Sequence, residues 1–183
     1  MKAAAFVADL GDPAAVGGLV DKVRADLGAI SVIEWTAYSP GSVAGDLLAA
    51  SDEEIRSLFD TSIRGLLAVV RSALPDLKRE QGALLVTNGA AGFVDPTMDD
   101  MVVRWGMMGL GVANAAKHKL VGLLAKKLAA DGIYVGEIMI GGTIKGTAFD
   151  RSDAMSIDSK IVADKYWEMY TARKDVRATL RPR

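Results

Sequence analysis

The chain has 183 residues, half of them hydrophobic, with 22 basic and 23 acidic side chains, one histidine and no cysteine. That is enough for one domain with a sizeable core. The lack of cysteine excludes disulfide frameworks, thiolate zinc sites and thiol nucleophiles, and the lone His118 excludes a multi-histidine metal site. A net charge of −1 gives no electrostatic reason to bind nucleic acid or an anionic membrane. No uncharged apolar run approaches the ~20 residues of a membrane span. The opening MKAAAFVADLGD is too short and too soon acidic for a signal peptide. These features predict a soluble, cytoplasmic protein.

Ala3–Ala8 is a compact apolar run, which predicts a strand ending at Asp9. Asp12 before Pro13 is an N-cap with proline at N1, and Ala15, Leu19, Val20, Val23 and Leu27 follow at helical spacing, closed by Gly28. Residues 30–35 read as a strand, and 37–50, with Pro40 and Gly41, as a loop holding at most one helical turn. Ser51 with Glu54 is a capping-box pattern opening a helix to about Leu77 that bends or ends near Pro75. A strand over 82–87 leads into a small-residue loop, 88–92, and an irregular stretch, 93–105. A long helix from about 106 to 130 ends at Asp131-Gly132, before a strand over 133–140 that Gly141-Gly142 breaks. Residues 143–157 read as a loop and 158–172 as the last helix.

Strands alternating with helices of this length imply a parallel sheet covered on both faces, with right-handed crossovers. Ligands bind such sheets beyond the carboxyl ends of the strands. Two segments imitate a phosphate loop. In Leu84–Gly92 the glycines follow a strand, but Asp95, Pro96, Asp99 and Asp100 intervene before any helix; in Gly106–Gly111 a helix follows but no clean strand precedes. A pyrophosphate cradle needs both, so we read the second as close helix packing.

Several stretches fall in a familiar order. Phe6-Val7-Ala8-Asp9-Leu10 precedes Asp12-Pro13, and Leu27–Ile33 leads to Trp35-Thr36-Ala37-Tyr38. Phe59–Gly65 lies mid-helix, Gly82–Gly92 follows, and then come Ala113-Asn114-Ala115-Ala116-Lys117, Leu128–Val135, Ile140-Gly141-Gly142-Thr143-Ile144 and Val162–Tyr170. From Ala4 to about Tyr170 this order resembles the short-chain dehydrogenase/reductase family, in an atypical branch. The family's Tyr-x-x-x-Lys falls on Ala113 to Lys117, so the lysine is present and the tyrosine is not. Its usual Ser aligns with Gly89, its helix Asn with Ser62, and its Pro-Gly-x-Ile loop with Gly141 to Ile144.

The resemblance implies an α/β, Rossmann-like three-layer sandwich with a mostly parallel sheet. The chain enters it at the family's third strand, N-terminally truncated by roughly 50 residues of a βαβαβ half. It makes residues 1–172 the domain and 173–183 a basic C-terminal tail. It implies NAD or NADP as cofactor, contacted by Asp9, Leu10, Trp35, Ala37, Lys117, Gly142 and Ile144, with Lys117, Asn88 and Ser62 as the catalytic set. In the family's strand order 3-2-1-4-5-6-7, two strand positions between 3–8 and 30–35 lack their strands; either the first segment moves in to pair or an edge stays open. Helices 51–77 and 106–130 resemble the pair through which family members dimerise, so a homo-oligomer is expected.

Local readings compete with these roles. Asp9 is equally a strand-terminating turn residue, and Lys117 a solvated helix lysine beside Lys119. General acid/base work needs a titratable group, which Ala113 cannot supply. Of the substitutes, we read His118 as a surface side chain and Tyr134 as core, which leaves Tyr38 in an edge loop. Met98, Met101, Met107, Met108 and Trp105 read as core or interface packing rather than a substrate lid. The tail from Arg173, with five basic residues and one acid, reads as a solvated terminus. Two functions follow: an NAD(P)-dependent oxidoreductase acting on a small-molecule carbonyl or alcohol, impaired or inactive as this chain, or a non-catalytic relative serving as oligomer partner or ligand-binding module.

Overall fold

The computed structural model describes residues 2–38, 45–150 and 153–182. Pro40 and Gly41 lie outside the described residues. Helix α1 (Pro13–Leu27) has the predicted ends: the Asp12 side chain accepts from Ala14 N–H, and Gly28 closes the helix with a φ of 93°. Strand β1 (Val32–Trp35) follows. The capping box at Ser51 and Glu54 is formed, and opens α2 (Asp52–Phe59). The predicted single helix is instead three continuous pieces. A π-helical turn over Asp60–Gly65 joins α2 to α3 (Leu66–Arg79), which runs through Pro75. The Ser62 hydroxyl donates to Leu58 O at 2.6 Å, the back-bond to residue i−4 that bends helices. Gly65 is required there, because a Cβ would strike the Leu10 carbonyl laid across the turn.

Strand β2 (Ala83–Gly89) continues two residues beyond the predicted end. The stretch expected to be irregular contains α4 (Pro96–Arg104), capped by Asp95 onto the N–H groups of Thr97 and Met98. Helix α5 (Met108–Leu128) leads to β3 (Tyr134–Ile140). The predicted loop 143–157 holds a two-stranded pairing of β4 (Thr143–Ile144) with β5 (Ser156–Ile157). Helix α6 (Ser159–Ala172) starts on its Asp158 cap. The tail is not a solvated terminus throughout: Arg177–Leu180 forms β6 against β3.

The main sheet is parallel, in the order β1-β2-β3-β6. Its register aligns Trp35 with Val86, Val86 with Glu137, and Glu137 with Arg177. One face carries the larger core, where Ile33, Trp35, Leu84, Val86 and Val135 pack against α1, α3 and α5. The other carries Leu85, Tyr134 and Ile138 against Val162, Tyr166 and Met169 of α6. The strands step in one direction throughout, so the α6 crossover has the opposite hand to those through α3 and α5. The expectation of uniformly right-handed crossovers therefore fails at the last one.

Ala3–Ala8 is not a strand: it has no ladder partner among the described residues, and Val7 is 99% exposed. An apolar run becomes a strand only when its backbone groups find a neighbour, and β1 has none on its outer side among the described residues. Buried Asp76 ties α1 to α3, accepting from Arg24 Nε and from Arg79, each at 2.8 Å. The Arg24 hydrogen bond holds its carboxyl below the usual carboxylate range.

Candidate active site

The carboxyl ends of the sheet are Trp35, Gly89, Ile140 and Leu180. In a parallel sheet that edge receives ligands. Two of the residues singled out by sequence, Asn88 and Lys117, come together at the boundary of β2 and α5. Asn88 Nδ2 donates to Asn114 O at 3.0 Å and to Glu137 Oε1 at 2.8 Å, and Asn88 Oδ1 accepts from Gly89 N–H at 3.0 Å. Both donor hydrogens of its amide are engaged within the protein.

Glu137, which sequence reading missed, is the centre of this network. It has no solvent exposure and sits mid-strand in β3. Its Oε2 meets His118 Nδ1 at 2.6 Å and lies 3.5 Å from Arg177 Nε. His118 is therefore not a surface side chain; it is partly buried, bonded to Glu137 and edge-on to Phe93 at 5.9 Å. The sequence signal was a lone acid in an otherwise apolar strand, a residue type almost never buried unless paired.

Lys117 is only 4% exposed and has no hydrogen-bond or ion-pair partner among the described residues. Burial lowers its pKa to about 8, against a smaller opposing pull from the Glu137 charge. It is not a solvated helix lysine. Asn114, one turn earlier on α5, is 6% exposed, and its side chain likewise has no partner.

The remaining candidates spread along the edge. Asp9 is exposed and accepts from Gly11 N–H at 2.8 Å, closing a turn. Leu10 packs partly buried on the core beside Gly65, and Trp35 is buried next to the same glycine. The Trp35 indole N–H is sealed without a partner. Ala37 also packs on that core. Ser62 is buried, its hydroxyl engaged by Leu58 O. On the other side of the sheet centre, Ile144 pairs with Ile157 and packs toward α6. The nearby Gly142 stands so close to Met155 O and Pro182 that no side chain would fit. Tyr38 is exposed and lies edge-on to Phe149 at 4.9 Å, so the loops after β1 and β4 meet. The Tyr134 hydroxyl donates to Asp175 O at 2.6 Å, and burial raises its pKa.

The glycines of the two segments pack closely at several positions, while Gly106 has open space around it. Gly89 and Gly92 are pressed against Asn114, and Gly111 packs α5 against Val102 of α4. Among the described residues no cluster of acids and histidine could hold a metal, and no helix is long and apolar enough to cross a membrane.

The fold and this edge define a class. The profile of the family described as enoyl-(acyl carrier protein) reductase matches residues 1–179. The chain belongs to the short-chain dehydrogenase/reductase family, a family of oxidoreductases with a Rossmann-like fold. Among curated relatives, 17-beta-hydroxysteroid dehydrogenase 13 of Mus musculus is 31% identical over 83 residues, 45% of this chain and 26% of that protein. Oxidoreductase UcpA of Escherichia coli (strain K12) is 28% identical over 138 residues, 75% of this chain and 49% of that protein. These matches span about half or less of the relatives' length. An NADH-dependent reductase of alginate metabolism, A1-R', superposes with a TM-score of 0.76 at 16% identity, over 96% of this chain and 73% of that one. A Serratia marcescens short-chain dehydrogenase/reductase variant gives 0.77 at 14% identity, over 96% and 74%.

Proposed function

We propose that the protein is an NAD(P)-dependent oxidoreductase acting on a small carbonyl or alcohol, with Lys117 at its centre. The observation that carries this reading is a buried lysine with no hydrogen-bond or ion-pair partner among the described residues, beside the ligand-binding edge of the sheet. A buried ammonium is costly unless paired, and ribose hydroxyls or a developing oxyanion would complete it. The residues fit the nicotinamide end of a dinucleotide, where Lys117 would hold the ribose and the loop from Gly142 to Ile144 would close beside it. The cofactor would supply the hydride. This chain's own part is to orient the carbonyl and to deliver a proton, which Lys117 can do with a pKa of about 8. Solved relatives carry NAD in one case and 5-hydroxy-NADP in another, which supports the cofactor class.

A second reading, a non-catalytic relative, is favoured by Asn88 and Ser62, whose hydrogen-bond donors are already engaged by the protein. Titration with NADH and NADPH, read by fluorescence and thermal shift together, separates the two. Saturable binding, weakened about tenfold in Lys117→Ala, is expected. A folded chain that binds neither nucleotide overturns the first reading. We also propose self-association through α2–α3 and α5, supported by exposed Val112 and Leu123 on α5. Sedimentation giving a monomer would remove that part.

A further inference from the structure

Asn114 and Lys117 lie three residues apart on α5, so their side chains share one face of the helix. Helical side chains lean toward the helix N-terminus, which for α5 is the end beside the carboxyl edge of the sheet. Both are more than nine-tenths buried and neither has a partner among the described residues. Their polar ends are not sealed: the Trp35 indole nitrogen is the buried side-chain atom without partner or solvent access. The polar ends of both side chains therefore keep some contact with solvent. Gly89 adjoins the Asn114 carboxamide. A Cβ at that position would come within 2.6 Å of the Asn114 amide, so the carboxamide occupies the space a side chain at residue 89 would fill. The Asn114 backbone carbonyl is held by Asn88, and Gly92 lies against the Asn114 backbone, so this part of α5 is fixed in place.

We propose that Asn114 is the substrate-orienting residue: its carboxamide, in the room left by Gly89, donates to the oxygen of a small ketone or aldehyde beside Lys117. This rests on the oxidoreductase reading and names the group that replaces the engaged Asn88 and Ser62. Lys117 carries only donors, and the Asn114 carboxamide adds its NH2 donors on the same helix face, a set that suits a polarised oxygen. Burial lowers the Lys117 pKa and outweighs the opposing pull of the Glu137 charge.

The test uses the full chain labelled with nitrogen-15 and cyclohexanone as a plain ketone probe, with and without NADH. The side-chain amide pair of Asn114 is identified by its loss in Asn114→Ala. We expect that pair to shift saturably with cyclohexanone. Asn114→Ala and Gly89→Ser should each weaken cyclohexanone about tenfold while holding NADH affinity within about twofold. If Gly89→Ser does not fold, the Gly89→Ser/Asn114→Ala double variant removes the collision and is expected to show the same loss. Saturation with the Asn114 pair unmoved, equal ketone affinity in Asn114→Ala, or no ketone binding at all overturns the proposal. Failure of NADH alone overturns the oxidoreductase reading, and the amide response to cyclohexanone then decides this proposal by itself.

Discussion

Two sets of polar side chains lie around α5, and they differ in what they touch. Asn88, Glu137, His118 and Arg177 form a closed network in which each member meets another side chain. Asn114 and Lys117 are buried and have no hydrogen-bond or ion-pair partner among the described residues. A satisfied network holds strands in register, whereas unsatisfied groups raise the free energy of the folded chain until something completes them. The first set therefore belongs to the architecture of the sheet, and the second is the set that the proposed function uses.

Substitutions can break or sharpen that contrast. Glu137→Ala should have the largest effect. It strips Asn88, His118 and Arg177 of their shared acceptor, at about 3–5 kcal/mol in urea unfolding. Asn88→Ala should cost about 2–3 kcal/mol by the same measurement, because Glu137 loses one hydrogen bond and the Asn114 carbonyl another. Lys117→Met should act in the opposite direction and stabilise the chain at pH 7 by roughly 1–3 kcal/mol. The unfolded chain holds the Lys117 proton to near pH 10.5, and the folded chain releases it near 8. Stability of the unaltered protein should therefore rise with pH across that window, with the full penalty present below it. Thermal melts of the unaltered chain and Lys117→Met at pH 7 and pH 10 should converge at the higher value. Asn114→Ala should change stability by less than about 0.5 kcal/mol, since no hydrogen bond is lost. A large loss there would place Asn114 with the architecture.

Much of the fold was legible because its signals are local. Asp12-Pro13 and Gly28 fix α1, and Ser51 with Glu54 fixes the start of α2. The same Asp-Pro signal stands at Asp95-Pro96 and marks α4; the cluster of Met and Trp side chains around it obscured the pattern. Strand β6 was hidden by its polar residues. Among the described residues its one ladder neighbour is β3, and it alternates exposed and half-buried residues, so Arg177 and Thr179 make it look like a solvated tail. Ala3–Ala8 erred the other way, because an apolar run carries no information about whether a partner strand will lie beside it. At the site, Lys117 was legible from its spacing in the resemblance. Glu137 and Asn114 were not, because their surroundings come from segments brought close only by the fold: His118 and Arg177 around Glu137, Gly89 against Asn114.

The register of the sheet has a kinetic consequence. Trp35 aligns with Val86, Val86 with Glu137 and Glu137 with Arg177, so each pairing joins segments roughly forty to fifty residues apart. No strand can form its ladder until a loop of that size has closed, and the entropy of closure precedes any reward from hydrogen bonding. Helices α1 and α2, with side-chain caps in their own sequence, can begin to form far sooner. Refolding should accordingly show helical signal well ahead of burial at Trp35, the indole packed at the end of β1.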